Sequence, residues 1–220
     1  GTFSAPTGTS VSVGTHWNVT SFSHNGGTVI FTGTGTIYSA NTYSNVTINS
    51  SGTVTANAAV TITGNLNRSA GTLAMGGNTL NVAGNVSYTA GSLSSTGTIT
   101  LNGSSGAQSV NLTGSVIQNL VVNNTSGTPT VTLTNTAAFT WGGDLTITAG
   151  TLVLANYSQT IGGNVSGAGT LDASAISGGN TLIVGGYMGT TGVALGTFSA
   201  PTGTSVSVGT HWNVTSFSHN

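Results

Sequence analysis

The 220-residue sequence contains no cysteine, no lysine and no glutamate. Its charged side chains are Arg68, Asp144 and Asp172, so charge makes up 1% of the chain, against about a quarter in an average soluble protein. One arginine cannot neutralise a row of phosphates, which excludes nucleic-acid binding. The near absence of Glu, Lys and Arg excludes coiled coils and helical bundles. Without cysteine there are no disulfides and no thiolate metal sites.

Long hydrophobic runs are also missing. No apolar segment approaches the roughly 20 residues of a membrane-spanning helix, although the mean hydropathy is +0.23. The chain is rich instead in small and polar residues, with 35 Gly, 42 Thr, 28 Ser and 22 Asn. Its formal net charge of −1 differs from the high net charge that is typical of disordered chains. The composition therefore predicts a folded protein with no membrane span.

Residues 1–25 recur without a change as residues 196–220, at an offset of 196 − 1 = 195. This duplication indicates a tandem array. Residues 1–195 then form one full repeat unit, and residues 196–220 begin the next identical one. We expect the sequence to be a window from a longer chain, since no initiator Met or signal-peptide pattern stands at Gly1. Covalent linkage of the units and end-to-end stacking both remain open.

A second level of repetition lies inside the unit. The segment AAVTITGNL at 58–66 is echoed by AAFTWGGDL at 137–145. A Gly-Asn or Gly-Asp pair precedes an aliphatic residue at four candidate corner positions, Asn65, Asn85, Asp144 and Asn164. The differences 85 − 65 and 164 − 144 are equal. This shared step of about 20 residues matches one coil of a β-solenoid.

Local patterns agree with this interpretation. Segments such as 60–63 (VTIT) and 145–148 (LTIT) alternate aliphatic and small polar residues, as half-buried strands do. We predict an all-β fold, a parallel β-solenoid (β-helix) with coils of about 20 residues and no helices. Two antiparallel sandwiches of about 97 residues each would also fit the strand spacing. Corner asparagines either stack as amide ladders or hold left-handed turns.

Two long runs carry a family resemblance, GNLNRSAGTLAMGGNTLNVAGNVSYTAGSLSSTGTITLNGSSGAQSV at 64–110 and QNLVVNNTSGTPTVTLTN at 118–135. They resemble the Gly/Thr/Asn-rich tandem repeats of large secreted microbial surface proteins. Those proteins are similar to filamentous-haemagglutinin-like adhesins and autotransporter passengers, which are parallel β-helices. The resemblance implies an extracellular or cell-surface location and a rod-like structural or adhesive role.

Reactive side chains are too few for a catalytic site. Asp144 and Asp172 are well separated in the sequence, and no Glu or Lys completes an acid–base set. We interpret Asp144 as the counterpart of the corner residue Asn65, and Arg68 as a surface residue or the partner of a carboxylate. The sequence therefore predicts no catalytic residues, no cofactor and no enzymatic activity.

Histidines and aromatic residues offer weak binding hypotheses. His16 and His24, copied as His211 and His219, have no carboxylate nearby, so we predict no metal site. Trp17 and Trp141 either stack on sugars or plug the coils. The Thr-x-Thr spacing also suggests a flat ice-binding array, but the uneven spacing of the corner marks argues against threonines in register.

Modification is a further hypothesis. Eleven asparagines of the unit stand in the N-x-S/T pattern of N-glycosylation. They are Asn18, Asn45, Asn49, Asn67, Asn85, Asn102, Asn111, Asn123, Asn124, Asn156 and Asn164.

Together these observations predict a structural protein, a repeat unit of a secreted extracellular filament or cell-surface stalk, which is not an enzyme. Its expected partners are further copies of itself, and also glycans or neighbouring fibres. The alternative is a carbohydrate- or surface-binding adhesin rod. With almost no titrating groups, folding should depend little on pH.

Overall fold

The computed structural model describes residues 1–189, 195–201, 203 and 205–218, which form strands, bridges and turns with no helix among them. The chain divides into two compact units. The first comprises residues 1–100 and 114–116, and the second comprises residues 101–113 and 117–220. This division says nothing about the repeat boundary at residues 195 and 196, which stays a prediction.

Strands of the first unit are short at its beginning and longer towards its end. They are β1 (Thr2–Ser4), β2 (Ser10–Val13), β3 (Ser21–Ser23), β4 (Thr28–Phe31), β5 (Gly35–Ile37), β6 (Asn41–Tyr43), β7 (Asn45–Ala56), β8 (Val60–Ile62), β9 (Leu66–Gly76), β10 (Leu80–Val82), β11 (Val86–Tyr88) and β12 (Ser92–Leu101), whose last residue is assigned to the second unit.

The second unit contains the remaining strands. They are β13 (Gln108–Val110), β14 (Val116–Asn123), whose first residue is assigned to the first unit, β15 (Thr130–Leu133), β16 (Phe139–Trp141), β17 (Leu145–Ala149), β18 (Thr151–Val153), β19 (Gln159–Ile161), β20 (Val165–Ser166), β21 (Thr170–Asp172), β22 (Leu182–Val184), β23 (Leu195–Ser199), β24 (Val206–Val208) and β25 (Val214–Ser218).

The first unit is a parallel β-solenoid. Strands of the main sheet pair with the equivalent strand of the next coil, and Val11, Val29, Val46, Leu66 and Val86 form one column. The strands β1 and β3 form a separate two-stranded sheet. Successive members of this column differ in residue number by 18, 17, 20 and 20. A coil of about 20 residues is therefore confirmed, and the parallel ladders rule out the sandwich alternative.

The second unit has the same architecture. Its column contains Val131, Leu152, Leu171, Phe198 and Phe217, and the residue numbers advance by 21, 19, 27 and 19. The longest of these steps runs from β21 to β23 and contains β22. Coil length thus varies while the register of the inward column is kept.

The core follows from the period-2 alternation. In β8, Val60 and Ile62 are buried and Thr61 is half-buried; β17 repeats this with Leu145, Thr146 and Ile147. Coils stack at about 4.8 Å, which leaves little room at the corners. At Gly35, a Cβ atom would overlap the carbonyl oxygen of Thr15.

Candidate assembly surface

The described parts of the duplicated segment form the same strand pair at both of its positions. In the first copy, β1 pairs in parallel with β3, and Phe3 stands opposite Phe22. In the second copy, β23 pairs with β25, and Phe198 stands opposite Phe217. These pairs are related by the same offset that relates the two copies in the sequence. The duplicated segment therefore specifies one local structure, which we call the junction coil.

An aromatic triad of Phe3, Trp17 and Phe22 lies inside the first junction coil. The Trp17 ring meets Phe3 at 6.0 Å and Phe22 at 5.0 Å, with interplanar angles of 79° and 86°. Phe3 and Phe22 stack at 5.8 Å. Edge-to-face and stacked pairs of this kind add to the energy of apolar burial.

The second junction coil carries the matching triad of Phe198, Trp212 and Phe217. Trp212 meets the two phenylalanines at 5.4 Å and 5.6 Å, again edge-to-face at 76° and 77°. Phe198 and Phe217 stack at 5.9 Å. The triad is thus reproduced with its packing intact.

What differs between the copies is the side on which each is covered. Trp17 is 4% exposed because the next coil lies over it, whereas its counterpart Trp212 is 45% exposed. Conversely, Phe3 is 36% exposed, whereas its counterpart Phe198 is 0% exposed against the preceding coil at Leu171. The first copy is packed towards the following coil and the second towards the preceding one.

Backbone hydrogen bonds show the same division. The Trp17 N–H donates to the Thr36 carbonyl at 2.8 Å, and the Tyr38 N–H donates to the Trp17 carbonyl at 3.0 Å. In the second copy, the Met188 N–H donates to the His211 carbonyl at 2.9 Å, and the Asn213 N–H donates to the Met188 carbonyl at 2.7 Å. Peptide groups alternate in direction along a strand. The first copy therefore shows the bonds to the following coil, and the second copy shows the bonds to the preceding coil.

Corner positions of the first unit form a ladder of side-chain-to-backbone bonds. The Asn65 N–H donates to Asn45 Oδ1 at 2.9 Å, and the Asn85 N–H donates to Asn65 Oδ1 at 2.8 Å. Each side chain thus accepts from the backbone of the next coil. Among the described residues other than glycine, only Asn25 has a positive φ, so these corners are not left-handed turns.

The second unit has a similar ladder. The Asp144 N–H donates to Asn119 Oδ1 at 3.0 Å, the Asn164 N–H donates to Asp144 Oδ1 at 2.8 Å, and the Tyr187 N–H donates to Asn164 Oδ1 at 3.2 Å. Asp144 therefore occupies the same kind of corner as Asn65. Asp172, in contrast, accepts a bond from the Ser174 N–H at 2.9 Å within its own turn.

Candidate glycosylation positions differ widely in accessibility. Asn18, Asn49, Asn85 and Asn156 are exposed. The half-buried positions are Asn45, Asn67, Asn102, Asn111, Asn123 and Asn164. Asn124 is 0% exposed, and its Nδ2 donates to Gly106 O at 3.1 Å and Gln108 Oε1 at 3.2 Å. In the folded chain, its amide nitrogen is enclosed.

A buried polar cluster around Asn124 was not predicted from the sequence. Gln108 Oε1 accepts from the Gly103 N–H at 2.9 Å, and Asn124 Oδ1 accepts from the Ser126 hydroxyl at 2.7 Å. Together these bonds satisfy polar groups that the turns of this coil bring inside.

The interpretation of Trp17 and Trp141 as sugar-stacking residues is wrong. Both are buried, and Trp141 lies inside its unit in a column with Ile117 and Ile161. They are the coil plugs of the alternative interpretation. Tyr38 and Tyr157 are exposed aromatic side chains. Threonines are in register in one row, Thr130, Thr151, Thr170 and Thr197, but the row beside it contains Val153 and Asp172, so no flat double array forms there.

Arg68 is not a surface residue, which corrects the expectation from its charge. It is 1% exposed and occupies the inward column between Ile48 and Tyr88. Its Nη1 donates to Ser115 Oγ at 2.6 Å, and its guanidinium carbon lies 5.0 Å from the centre of the Tyr88 ring. Burial lowers the pKa of Arg68 to about 10, against a smaller raising effect of Tyr88. The alternation with buried Leu66 was the signal for this inward position.

The histidines do not converge. The His16 ring is 5.6 Å from the Tyr38 ring, and His24 Nδ1 accepts from the Gly26 N–H at 3.2 Å. His219 lies outside the described residues. Within the described ranges, no three His, Asp or Glu side chains lie together as metal ligands. In the same part of the chain, no helix is long and apolar enough to cross a membrane.

Comparison with known proteins gives no significant match to a family model, a curated protein or a solved structure. The parallel β-solenoid thus rests on the ladders and columns of the chain itself.

Proposed function

We propose that the protein is a structural repeat unit of a secreted extracellular filament or cell-surface stalk, and that it is not an enzyme. The observation that carries the proposal is the junction coil. The same segment forms the same pair of rungs at residues 1–25 and 196–220, packed towards the following coil in one copy and the preceding coil in the other. A segment that can pack against a coil on either of its two sides suits an element that recurs along an array.

The scarcity of charge supports the same role. The chain carries a formal net charge of −1, whereas soluble monomers usually use charge to stay apart. Both aspartates accept bonds from turn amides, Asp144 from Asn164 and Asp172 from Ser174. These carboxylates thus have a structural task, which supports a non-enzymatic protein.

We further infer that the repeats are of the type found in filamentous-haemagglutinin-like adhesins and autotransporter passengers. The Gly/Thr/Asn-rich runs and the parallel solenoid with coils of about 20 residues support this inference. If the chain is exported through a glycosylating pathway, Asn18, Asn49, Asn85 and Asn156 are the acceptors that we expect, because they are exposed.

Immunogold labelling of intact source cells tests the proposal, with an antibody raised against the 220-residue chain. We expect label along surface fibres without permeabilisation, and label confined to the cell interior would overturn the proposal. A glycan array probed with the same chain tests the adhesin alternative. Saturable binding that is lost on Tyr38→Ala or Tyr157→Ala would favour the adhesin.

A further inference from the structure

We propose that the exposed side of the second junction coil is the seat for residues 28–43 of the unit that residues 196–220 begin. Consecutive units then join without a spacer, and the ladder continues from β24 and Trp212 as it does from β2 and Trp17 in the first copy. This inference rests on the proposed repeat array and deepens it, because it names the contact surface, the partner segment and the register.

The first copy supplies the contacts that the seat would make. There, β4 pairs with β2, and Ile37 bridges to Trp17. The rings of Phe31 and Tyr43 lie 6.4 Å and 6.0 Å from Trp17. Tyr43 also lies 5.6 Å from Phe22. Residues 28–43 thus cover the first aromatic triad.

The second triad presents the same surface uncovered. Trp212 and Phe217 are exposed large apolar side chains. Met188 bonds to the carbonyl of His211 and the N–H of Asn213 on the preceding side. By the alternation of a parallel strand, the N–H and carbonyl of Trp212 itself point to the other side. These are the groups that Trp17 uses to bond to Thr36 and Tyr38 in the first copy.

The other side of the junction coil, which faces the preceding coil, is exposed in the first copy and covered in the second. In the first copy it borders a groove of about 420 Å³, whose lining includes Phe3, Val11, Val13 and Trp17. The counterparts of these residues in the second copy rest on the preceding coil. The contacts there are Phe198 on Leu171, Val206 on Leu182, Val208 on Val184, and Trp212 on Met188. A preceding unit would fill the groove with these aliphatic side chains.

The register closes when the two copies are treated as one coil. In the second unit, an inward column passes through Trp141, Ile161, Val184 and Val208. The counterpart of Val208 is Val13, whose column continues through Phe31 and Ile48. Inward positions meet inward positions, so this apolar column passes from one unit to the next.

Composition favours another copy of this chain over a different partner. Residues 1–25 contain no Asp, Glu, Lys or Arg, and neither do residues 26–67. The seat therefore offers apolar rings and backbone groups, which are the recognition elements of strand addition. The sequence that satisfies all of them is present in the chain at residues 28–43.

Tryptophan accessibility in a two-unit chain tests the proposal. The chain consists of residues 1–220 followed directly by residues 26–220, with the last tryptophan replaced by phenylalanine. The reference is the single 220-residue chain, in which acrylamide should quench one tryptophan of three. Trp212→Phe in the single chain assigns that component, since Trp17 and Trp141 are buried.

We expect the quenchable component to disappear in the two-unit chain. The amides of β24, whose counterpart β2 pairs with β4 in the first copy, should exchange with solvent at least tenfold more slowly. Persistence of the quenchable component would overturn the proposal. A matched control joins two complete 220-residue chains, so that residue 1 follows residue 220, again without the last tryptophan. Protection of Trp212 in this control as well would reveal unspecific stacking and would overturn the assignment to residues 28–43.

The tryptophan experiment and the test of the proposed function can fail independently of each other. The two-unit chain reports on the seat whatever the cellular location of the protein. Immunogold labelling reports on the location whatever the structure of the joint.

Discussion

Replacement of the buried cation is the sharpest test of the energetics described for the core. Arg68 lies in an inward column, with Ile48 on one side and Tyr88 on the other. We expect Arg68→Met to stabilise the chain, because methionine fills a similar space without a charge. Exchanging buried charged groups for well-packed apolar ones is often neutral or stabilising by about 1–4 kcal/mol.

The pKa of Arg68 sets the magnitude. A pKa lowered from the ordinary value of arginine to about 10 means that folding disfavours the charged guanidinium by about 3 kcal/mol. Methionine leaves the hydroxyl of Ser115 without its donor, which costs about 1 kcal/mol. The net expectation at pH 7 is a gain of about 1–3 kcal/mol in the free energy of unfolding.

This gain should shrink at high pH. Arg68 is a base whose pKa is lower in the folded chain than in the unfolded one. Above about pH 10 the unfolded chain therefore binds more protons than the folded chain, and the stability of the original chain rises with pH up to the ordinary pKa of arginine. At pH 11 the advantage of Arg68→Met should be smaller by about 1 kcal/mol than at pH 7.

The assay is guanidinium chloride unfolding, followed by circular dichroism at pH 7 and pH 11. Arg68→Lys is the matched control, since it keeps a charge at the same inward position and should not stabilise the chain at pH 7. The reasoning is refuted if Arg68→Met lowers the free energy of unfolding at pH 7, or if its advantage is the same at both pH values.

The remaining predictions address the coil corners and the pH range. Gly35→Ala should destabilise the first unit by about 2–4 kcal/mol, since its Cβ would overlap the Thr15 carbonyl. Gly77→Ala, at a site with open space, should change stability by less than about 0.5 kcal/mol; equal thermal shifts in the two variants would contradict the stacking described. Burial raises the pKa of the Tyr43 hydroxyl above its ordinary value of 10, so stability that is present below pH 10 is lost as the unfolded chain ionises above it. Tyr43→Phe should move the alkaline unfolding midpoint upwards, and an unchanged midpoint would exclude Tyr43 as a cause. Asp144→Asn keeps the acceptor of the corner ladder and should be neutral within about 0.5 kcal/mol, whereas Asp144→Ala should lose about 1 kcal/mol in thermal unfolding; equal effects would refute the ladder's contribution. The β signal in circular dichroism should stay constant from about pH 2 to 10, because almost nothing titrates, and a transition within that range would contradict this.

The fold could be predicted because its signal is local and repeated. Alternation of aliphatic and small polar residues, as at Val60 and Ile62, marks the inward positions of each strand, and the spacing of Asn65 and Asn85 marks the coil. Coil length could not be predicted throughout. The long step from Leu171 to Phe198 includes a loop, and loops tolerate insertions without a hydrophobic signal.

Inward polar residues were missed for a different reason. Arg68 shares the parity of the buried Leu66, but its charge argued for the surface more strongly than its position argued for the core. Asn124 and Gln108 satisfy each other inside a turn, and such partners are brought together only by the fold. Trp17 and Trp212 have identical local sequences and different exposure, so exposure here depends on the neighbouring coil.

The mass of the polypeptide from its native source, measured after complete denaturation in strong acid, tests the central claim most directly. A continuous array, with each junction coil covered by the residues 28–43 that follow it, predicts a chain of many repeats of residues 1–195. Partial proteolysis should then yield fragments that differ by whole repeats. A denatured chain no larger than the 220 residues described, whose mass is 21.5 kDa, would contradict the continuous array.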